Sequence, residues 1–219
     1  AKEWMEVTGA QVYEGYGLTE TSPVVSINPG GANQIGTIGI ALPGTDIRIV
    51  TEAGEDVGIG ERGELCVRGP QVMMGYWQRP DETEKTIKNG WLHTGDVAIV
   101  QEDGYMRIVD RMKDMIIVSG FNVYPNEIED VLSGHPNIAE CAAIGVPDEK
   151  SGEAVKIFVA AKKGDIDKDE LKAFLRERLT GYKMPRYIEV RDELPKTNVG
   201  KVLRRSLRDE ELAKLAKAE

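Results

Sequence analysis

Asn89-Gly90-Trp91-Leu92-His93-Thr94-Gly95-Asp96, running on through Arg111 and Lys113 to Gly120, is the stretch whose reading decides the fold. It sets an acidic residue, Asp96, on a turn. Asp110-Arg111-Met112-Lys113-Asp114 and then Ser119-Gly120-Phe121-Asn122 follow. Between them, Val97 to Val100 and Tyr105 to Val109 flank Glu102-Asp103-Gly104, a strong hairpin signal. The spacing suggests a carboxylate and a guanidinium, Asp96 and Arg111, held a fixed distance apart by that hairpin. The residues after Arg111 read as a joint, which divides the chain into domains 1–112 and 113–219.

Upstream of this stretch the pattern is strands and turns. Asp46 to Val50 alternates, Gly63 to Arg68 is a second short run, and Pro80 to Ile87 reads as a helix with Pro near its start and acids in its first turn. The opening residues are helical in character and then turn through Tyr13 to Pro23. Gly15 and Gly17 around Tyr16 would let the backbone approach a flat ligand, because glycine has no Cβ. Spacing alone favours a structural turn with the Tyr packed inside. Ala1 to Met5 reads as the middle of a helix with no cap and no initiating Met, so the chain is expected to be a piece of a longer protein.

Downstream the character changes. Met115 to Val118 is a compact strand, and Pro125 opens a helix whose Ile128, Val131 and Leu132 share one face. Ile138 to Val146 and Val155 to Ala161 are strands joined by a polar loop from Pro147 to Gly152. Asp167, with Glu170 three residues on, forms a capping-box start for a helix carrying Leu171, Phe174, Leu175 and Leu179 and stopped by Gly181. Tyr187 to Val190 is one more strand, and the basic tail is helical. This half is a small α+β domain.

The bulk numbers exclude several function classes. A net charge of -9 over 219 residues argues against nucleic acid, whose phosphates need clustered Lys and Arg. No apolar run approaches the roughly 20 residues of a membrane span. The two cysteines, Cys66 and Cys141, sit in apolar runs and read as buried free thiols in a reducing compartment. Gly58-Ile59-Gly60-Glu61-Arg62-Gly63 matches a dinucleotide fingerprint but is followed by a strand where a helix is required. Asp165, Asp167 and Asp169 begin like a calcium loop but lack its Gly and terminal Glu. Gly200-Lys201 has no Walker context, and His93 and His135 read as surface or packing residues.

Four segments together resemble the adenylate-forming acyl-CoA synthetases, bacterial long-chain fatty-acid–CoA ligases above all. They are Tyr16-Gly17-Leu18-Thr19-Glu20, Gly63-Glu64-Leu65-Cys66-Val67-Arg68-Gly69, Asn89 to Lys113, and Pro195-Lys196-Thr197-Asn198-Val199-Gly200-Lys201. The resemblance implies an α+β architecture. The β-rich C-terminal part of a large adenylate-forming domain would be followed by a small mobile α+β domain. It also implies a two-step reaction with ATP, Mg²⁺ and CoA. A carboxylate attacks the α-phosphate of ATP, and the CoA thiol then displaces AMP from the acyl-adenylate.

By the same resemblance, Glu20 helps hold Mg²⁺, Thr19 contacts phosphate, and Gly15, Tyr16 and Gly17 frame the adenine. Asp96 and Arg111 take the ribose, and Lys201 bridges the attacking carboxylate and the α-phosphate. Lys113 is the pivot on which the small domain turns. Ser119, Gly120 and Phe121 line the path of the CoA arm, and Tyr182, Lys183 and Arg186 meet the CoA nucleotide.

The family often has Asp-Arg-Lys-Lys where this chain reads Asp110-Arg111-Met112-Lys113. Its phosphate loop and most of its acyl pocket lie upstream of these segments. The implied partners are a long-chain fatty acid and the N-terminal part of the same protein, and the implied location is cytoplasmic, with peripheral attachment at the inner face of the membrane left open. On this reading the chain alone is inactive. Two alternatives stand beside it: a non-catalytic nucleotide- or CoA-binding module, and an adenylation enzyme that loads a carrier protein.

Overall fold

The computed structural model describes residues 1–198 and 200–217, with the side chain of Lys2 left out. The chain falls into two compact units, Ala1–Met112 and the remainder from Lys113 onward.

The first unit is mostly antiparallel sheet. After a short helix α1 (Lys2–Thr8), strands β1 (Gly15–Gly17), β2 (Val24–Ile27) and β3 (Ile40–Ala41) form a three-stranded sheet in that order. A five-stranded sheet follows from β4 (Asp46–Val50), β5 (Gly63–Arg68), β6 (Ile87–Lys88), β7 (Trp91–Val100) and β8 (Met106–Arg111). Its order is β4-β5-β7-β6, with β8 also paired to β7. The helix α2 (Pro80–Thr86) precedes β6. Val25, Ile49, Leu65, Val67, Leu92, Ala98 and Met106 make the core of this unit. Each fully buried Val, Leu, Ile or Met side chain is worth about 1.5–3 kcal/mol of transfer free energy.

β7 is the strand everything else leans on, because it pairs with β5, β6 and β8. It begins at Trp91, so Asp96 lies inside a strand rather than on the turn expected from Gly95. The physical reason is an irregularity in the β5–β7 ladder. Glu64 pairs with Val97 and Cys66 with His93, so a single residue of β5 faces three of β7, Thr94, Gly95 and Asp96. Gly95 takes φ +73 there, a conformation that glycine tolerates and most residues resist.

The second unit is α+β. Strands β9 (Ile116–Val118) and β10 (Phe121–Val123) form a hairpin, and β11 (Ile138–Asp148) and β12 (Gly152–Ala161) a longer one. β13 (Tyr187–Val190) adds to β12 in parallel. Both long strands run further into the expected Pro147–Gly152 loop than their apolar runs indicated. Side chains alternate along them. Val155, Ile157 and Val159 face a core with Ile128 and Leu132 of α3 (Pro125–Ser133) and Leu171 and Leu175 of α4 (Lys168–Arg176). Ala142, Ile144, Val146, Ala154 and Phe158 face the other way, onto Leu194 of the loop after β13 and Leu207 of α5 (Arg204–Leu215).

Asp167 caps α4, accepting from Asp169 N at 2.8 Å and Glu170 N at 3.2 Å. Such a cap is worth about 1 kcal/mol. The helix ends at Arg176 rather than at Gly181, and Leu179 packs on the core from the turn beyond it. α5 is fastened by charge as well as by Leu207. Lys156 on β12 reaches Glu211 at 2.6 Å and Glu189 at 2.7 Å.

Candidate active site

The ladder between β7 and β8 places Asp96 directly opposite Arg111. Asp96 is 7% exposed, and its Oδ1 lies 3.6 Å from Arg111 Nε. Its other oxygen accepts from the Tyr16 hydroxyl at 2.5 Å. Burial, then the Asp96 carboxylate, pushes that hydroxyl far above its ordinary range, so it stays a donor. The Thr94 hydroxyl donates to Leu65 O at 2.8 Å and accepts from Asp96 N at 3.1 Å. Glu64 Oε1 accepts from Gly95 N at 3.0 Å. The bulge thus aims Asp96 and is itself held on both sides. A carboxylate fixed in this way is an acceptor for hydroxyl donors.

Tyr16 sits between two glycines whose bare Cα atoms serve the packing of strand on strand, in keeping with the structural reading of their spacing. A Cβ on Gly15 would stand 2.9 Å from Ser26 O, and one on Gly17 would collide with the Pro23 carbonyl. Both glycines let β1 lie close against β2, and the ring between them points its hydroxyl at Asp96. Thr19 and Glu20 follow in a single turn of 3₁₀ helix, Thr19–Thr21. Glu20 Oε1 accepts from the Tyr76 hydroxyl at 2.8 Å, and Glu20 O from Met73 N at 2.8 Å.

Tyr76 and Glu64 are the supporting residues that pattern-reading did not single out. Glu64 lay within a quoted motif, but its burial and its two partners are tertiary facts. His93, expected as a surface or packing residue, is partly buried and pairs with Glu64 at 2.7 Å.

In the second unit Lys113 is exposed, in a one-turn 3₁₀ helix over Met112–Asp114. Ser119 and Gly120 form the two-residue loop between β9 and β10, with φ of +51 and +84. Positive φ at both positions is the hairpin turn that matches strand twist, and it explains the glycine by conformation. A Cβ at Gly120 meets nothing within 4 Å, so the site also has open space above it.

Phe121 stacks on Tyr182 with ring centroids 4.8 Å apart, and both rings are exposed. Lys183 pairs with Glu127 at 2.8 Å, and Arg186 pairs with Asp148. The structure therefore brings Phe121 and Tyr182 together, while the two expected cations are engaged by acids.

Lys201 is exposed and closes a tight loop: Thr197 N donates to Lys201 O at 2.7 Å, and Lys201 N donates to the Thr197 hydroxyl at 3.1 Å. Gly200 has φ +81 within it. Val199, part of the motif read in the sequence, lies outside the described residues. No ion pair to the Lys201 ammonium forms among the described residues.

The chain is similar to known proteins over nearly its whole length. The profile of the AMP-binding enzyme family matches residues 1–77, and that of the AMP-binding enzyme C-terminal domain matches 127–201. A long-chain-fatty-acid–CoA ligase of Escherichia coli O157:H7 is 58% identical over 216 residues, which are 98% of this chain and 38% of that protein. ATP-bound MatB from Rhodopseudomonas palustris superposes with a TM-score of 0.90 at 38% identity, over 95% of this chain and 42% of that one. The o-succinylbenzoate CoA synthetase MenE of Bacillus subtilis, solved with ATP and a magnesium ion, gives 0.82 at 34% identity, over 94% and 43%. The chain spans about two fifths of the length of the relatives it matches.

Proposed function

The chain belongs to the AMP-binding enzyme family, and from that premise we propose that it is the C-terminal portion of an ATP-dependent long-chain fatty-acid–CoA ligase. The observation that carries the reading is the Asp96 carboxylate, buried on β7 with Tyr16 on one oxygen and Arg111 beside the other. A fixed carboxylate of this kind accepts the two ribose hydroxyls of ATP, and Arg111 reaches the same sugar. Gly15, Tyr16 and Gly17 frame the adenine.

Glu20, with one carboxylate oxygen on Tyr76, offers an oxygen ligand that fits Mg²⁺, which takes one or two carboxylates and completes its shell with phosphate and water, while the Thr19 hydroxyl contacts phosphate. Bound there, Mg²⁺ would neutralise charge on the phosphates. Lys201 supplies the cation that lets a fatty carboxylate approach the α-phosphate, an anion meeting a polyanion. Lys113 is the pivot between the two half-reactions. Ser119, Gly120 and Phe121 then line the CoA arm, with Tyr182, Lys183 and Arg186 near its nucleotide.

The parent protein is expected to form acyl-adenylate from long-chain acids and to pass the acyl group to free CoA. Failure with free CoA but success with a carrier protein would overturn the choice of acceptor. The 219-residue chain alone should give no ATP–pyrophosphate exchange, because the family's phosphate loop is not among its residues. Lys113→Pro in the parent should stop thioester formation while exchange continues. Equal rates of thioester formation in both proteins would remove Lys113 from the pivot.

A further inference from the structure

The ladder between β5 and β7 gathers three ligand-bearing side chains that touch none of the candidate substrate groups: Glu64, Cys66 and His93. Cys66 and His93 are direct partners in the register, with Sγ and Nδ1 3.5 Å apart. Glu64 Oε2 lies 2.7 Å from the same nitrogen. One ligand atom from each of the three lies within 4.8 Å of the other two. The Glu64 and His93 side chains are 15% and 18% exposed, and Cys66 is 1% exposed.

We propose that Glu64, Cys66 and His93 form a binding site for a thiophilic divalent cation of the Zn²⁺ class. A tetrahedral Zn²⁺ with sulfur at about 2.3 Å and nitrogen at about 2.0–2.1 Å holds those two atoms roughly 3.6 Å apart. Cys66 and His93 already stand at nearly that separation. Nitrogen and oxygen ligands of one such ion lie about 3.3 Å apart, so Glu64 must open from His93 by roughly 0.6 Å, within reach of its flexible side chain. The mixed sulfur, nitrogen and oxygen set selects Zn²⁺ or Co²⁺ over Mg²⁺ and Ca²⁺, which prefer oxygen alone.

The fourth position has room. Cys66 and His93 line a cavity of about 240 Å³ together with Arg48, Lys88, Asn89 and Trp91. A water there completes the shell, and the cavity mouth is the path of entry. Of the two cations on its wall, Arg48 is paired with Asp56 at 2.6 Å. Binding releases the Cys66 thiol proton to solvent, and His93 carries its ring proton on Nε2, so that Nδ1 is a neutral ligand. One thiolate and one carboxylate then balance the formal charge of the ion. Glu64 keeps its other oxygen on Gly95 N, an outer hydrogen bond of the kind that orients ligating carboxylates.

Co²⁺ titration of the metal-free full chain tests the site, because a thiolate ligand gives a charge-transfer band and tetrahedral geometry gives intense visible bands. Both are expected, and Zn²⁺ should displace them. Cys141→Ala should keep the spectrum, whereas Cys66→Ala should lose the charge-transfer band and His93→Gln should weaken binding about tenfold or more. Glu64→Gln, which preserves shape, is the variant for the case that Cys66→Ala unfolds; it too should weaken binding. A hydrogen-bonded trio only is the overturning result: no charge-transfer band at excess Co²⁺, or a spectrum that all three substitutions leave unchanged.

Discussion

Asp96 and Lys201, one in each unit, show two contrasting ways of presenting a charged group. Asp96 is buried, met by Tyr16 and Arg111, and its backbone is fixed by Thr94 and by the bulge that Gly95 permits. Lys201 is exposed on a loop whose backbone is tied by Thr197, and its ammonium has no ion pair among the described residues. A buried carboxylate must arrive with its partners, since desolvation without them costs several kcal/mol. A solvated lysine carries no such cost and can be brought to a substrate and withdrawn. Under the proposed function, the buried carboxylate would serve the nucleotide throughout and the solvated lysine only one step.

The comparison can be broken most directly at its exposed end. Lys201→Ala in the parent protein should cut ATP–pyrophosphate exchange by about 10²–10³-fold, the usual effect of losing one group that meets transition-state charge. Thioester formation from supplied acyl-adenylate should be spared, and melting temperature should not move. Equal loss of both half-reactions would end the role given to this lysine. At the buried end, Asp96→Asn should raise the KM for ATP by about 10- to 100-fold, as expected for a charge-assisted hydrogen bond worth roughly 1.5–3 kcal/mol. An unchanged KM would show that Asp96 serves only Tyr16.

Smaller effects separate conformation from space. Gly120→Ala should cost about 1–2 kcal/mol in denaturant unfolding, the price of a side chain at a left-handed position, since no neighbour obstructs a Cβ there. A further effect concerns acid. Burial alone would raise the Glu189 carboxyl, but Lys156 and Arg191 hold it down, from its ordinary 4.5 to about 2. The unfolded chain therefore binds that proton first as pH falls. The stabilisation is complete above about pH 4.5 and is lost as pH drops towards about 2. Glu189→Gln should flatten that part of the pH–stability curve, measured by circular dichroism; an unaltered slope would place the acid sensitivity elsewhere.

Much of this was legible in the sequence because it is local. The β7–β8 hairpin follows from Asp103-Gly104 between apolar runs, and the start of α4 follows from Asp167 and Glu170. The alternation of β12 follows from Val155, Ile157 and Val159. Helix ends and strand ends were less legible. β11 and β12 run past their apolar segments because ladder hydrogen bonds between paired backbones continue regardless of side-chain polarity. α4 stops at Arg176, short of Gly181, although Leu179 beyond its end still packs on the same core.

Sequence alone determined the identity and order of the chemical groups. The Tyr16–Glu20, Gly63–Gly69, Asn89–Lys113 and Pro195–Lys201 segments carry the family likeness without any coordinates. Only the tertiary structure decided how Asp96 is held, why Gly15 and Gly17 must be glycine, and that Glu64, Cys66 and His93 converge. Those facts depend on a two-residue irregularity in one ladder and on the close approach of β1 to β2. Cross-strand register is set by contacts between residues distant in sequence, and one strand's pattern does not contain them.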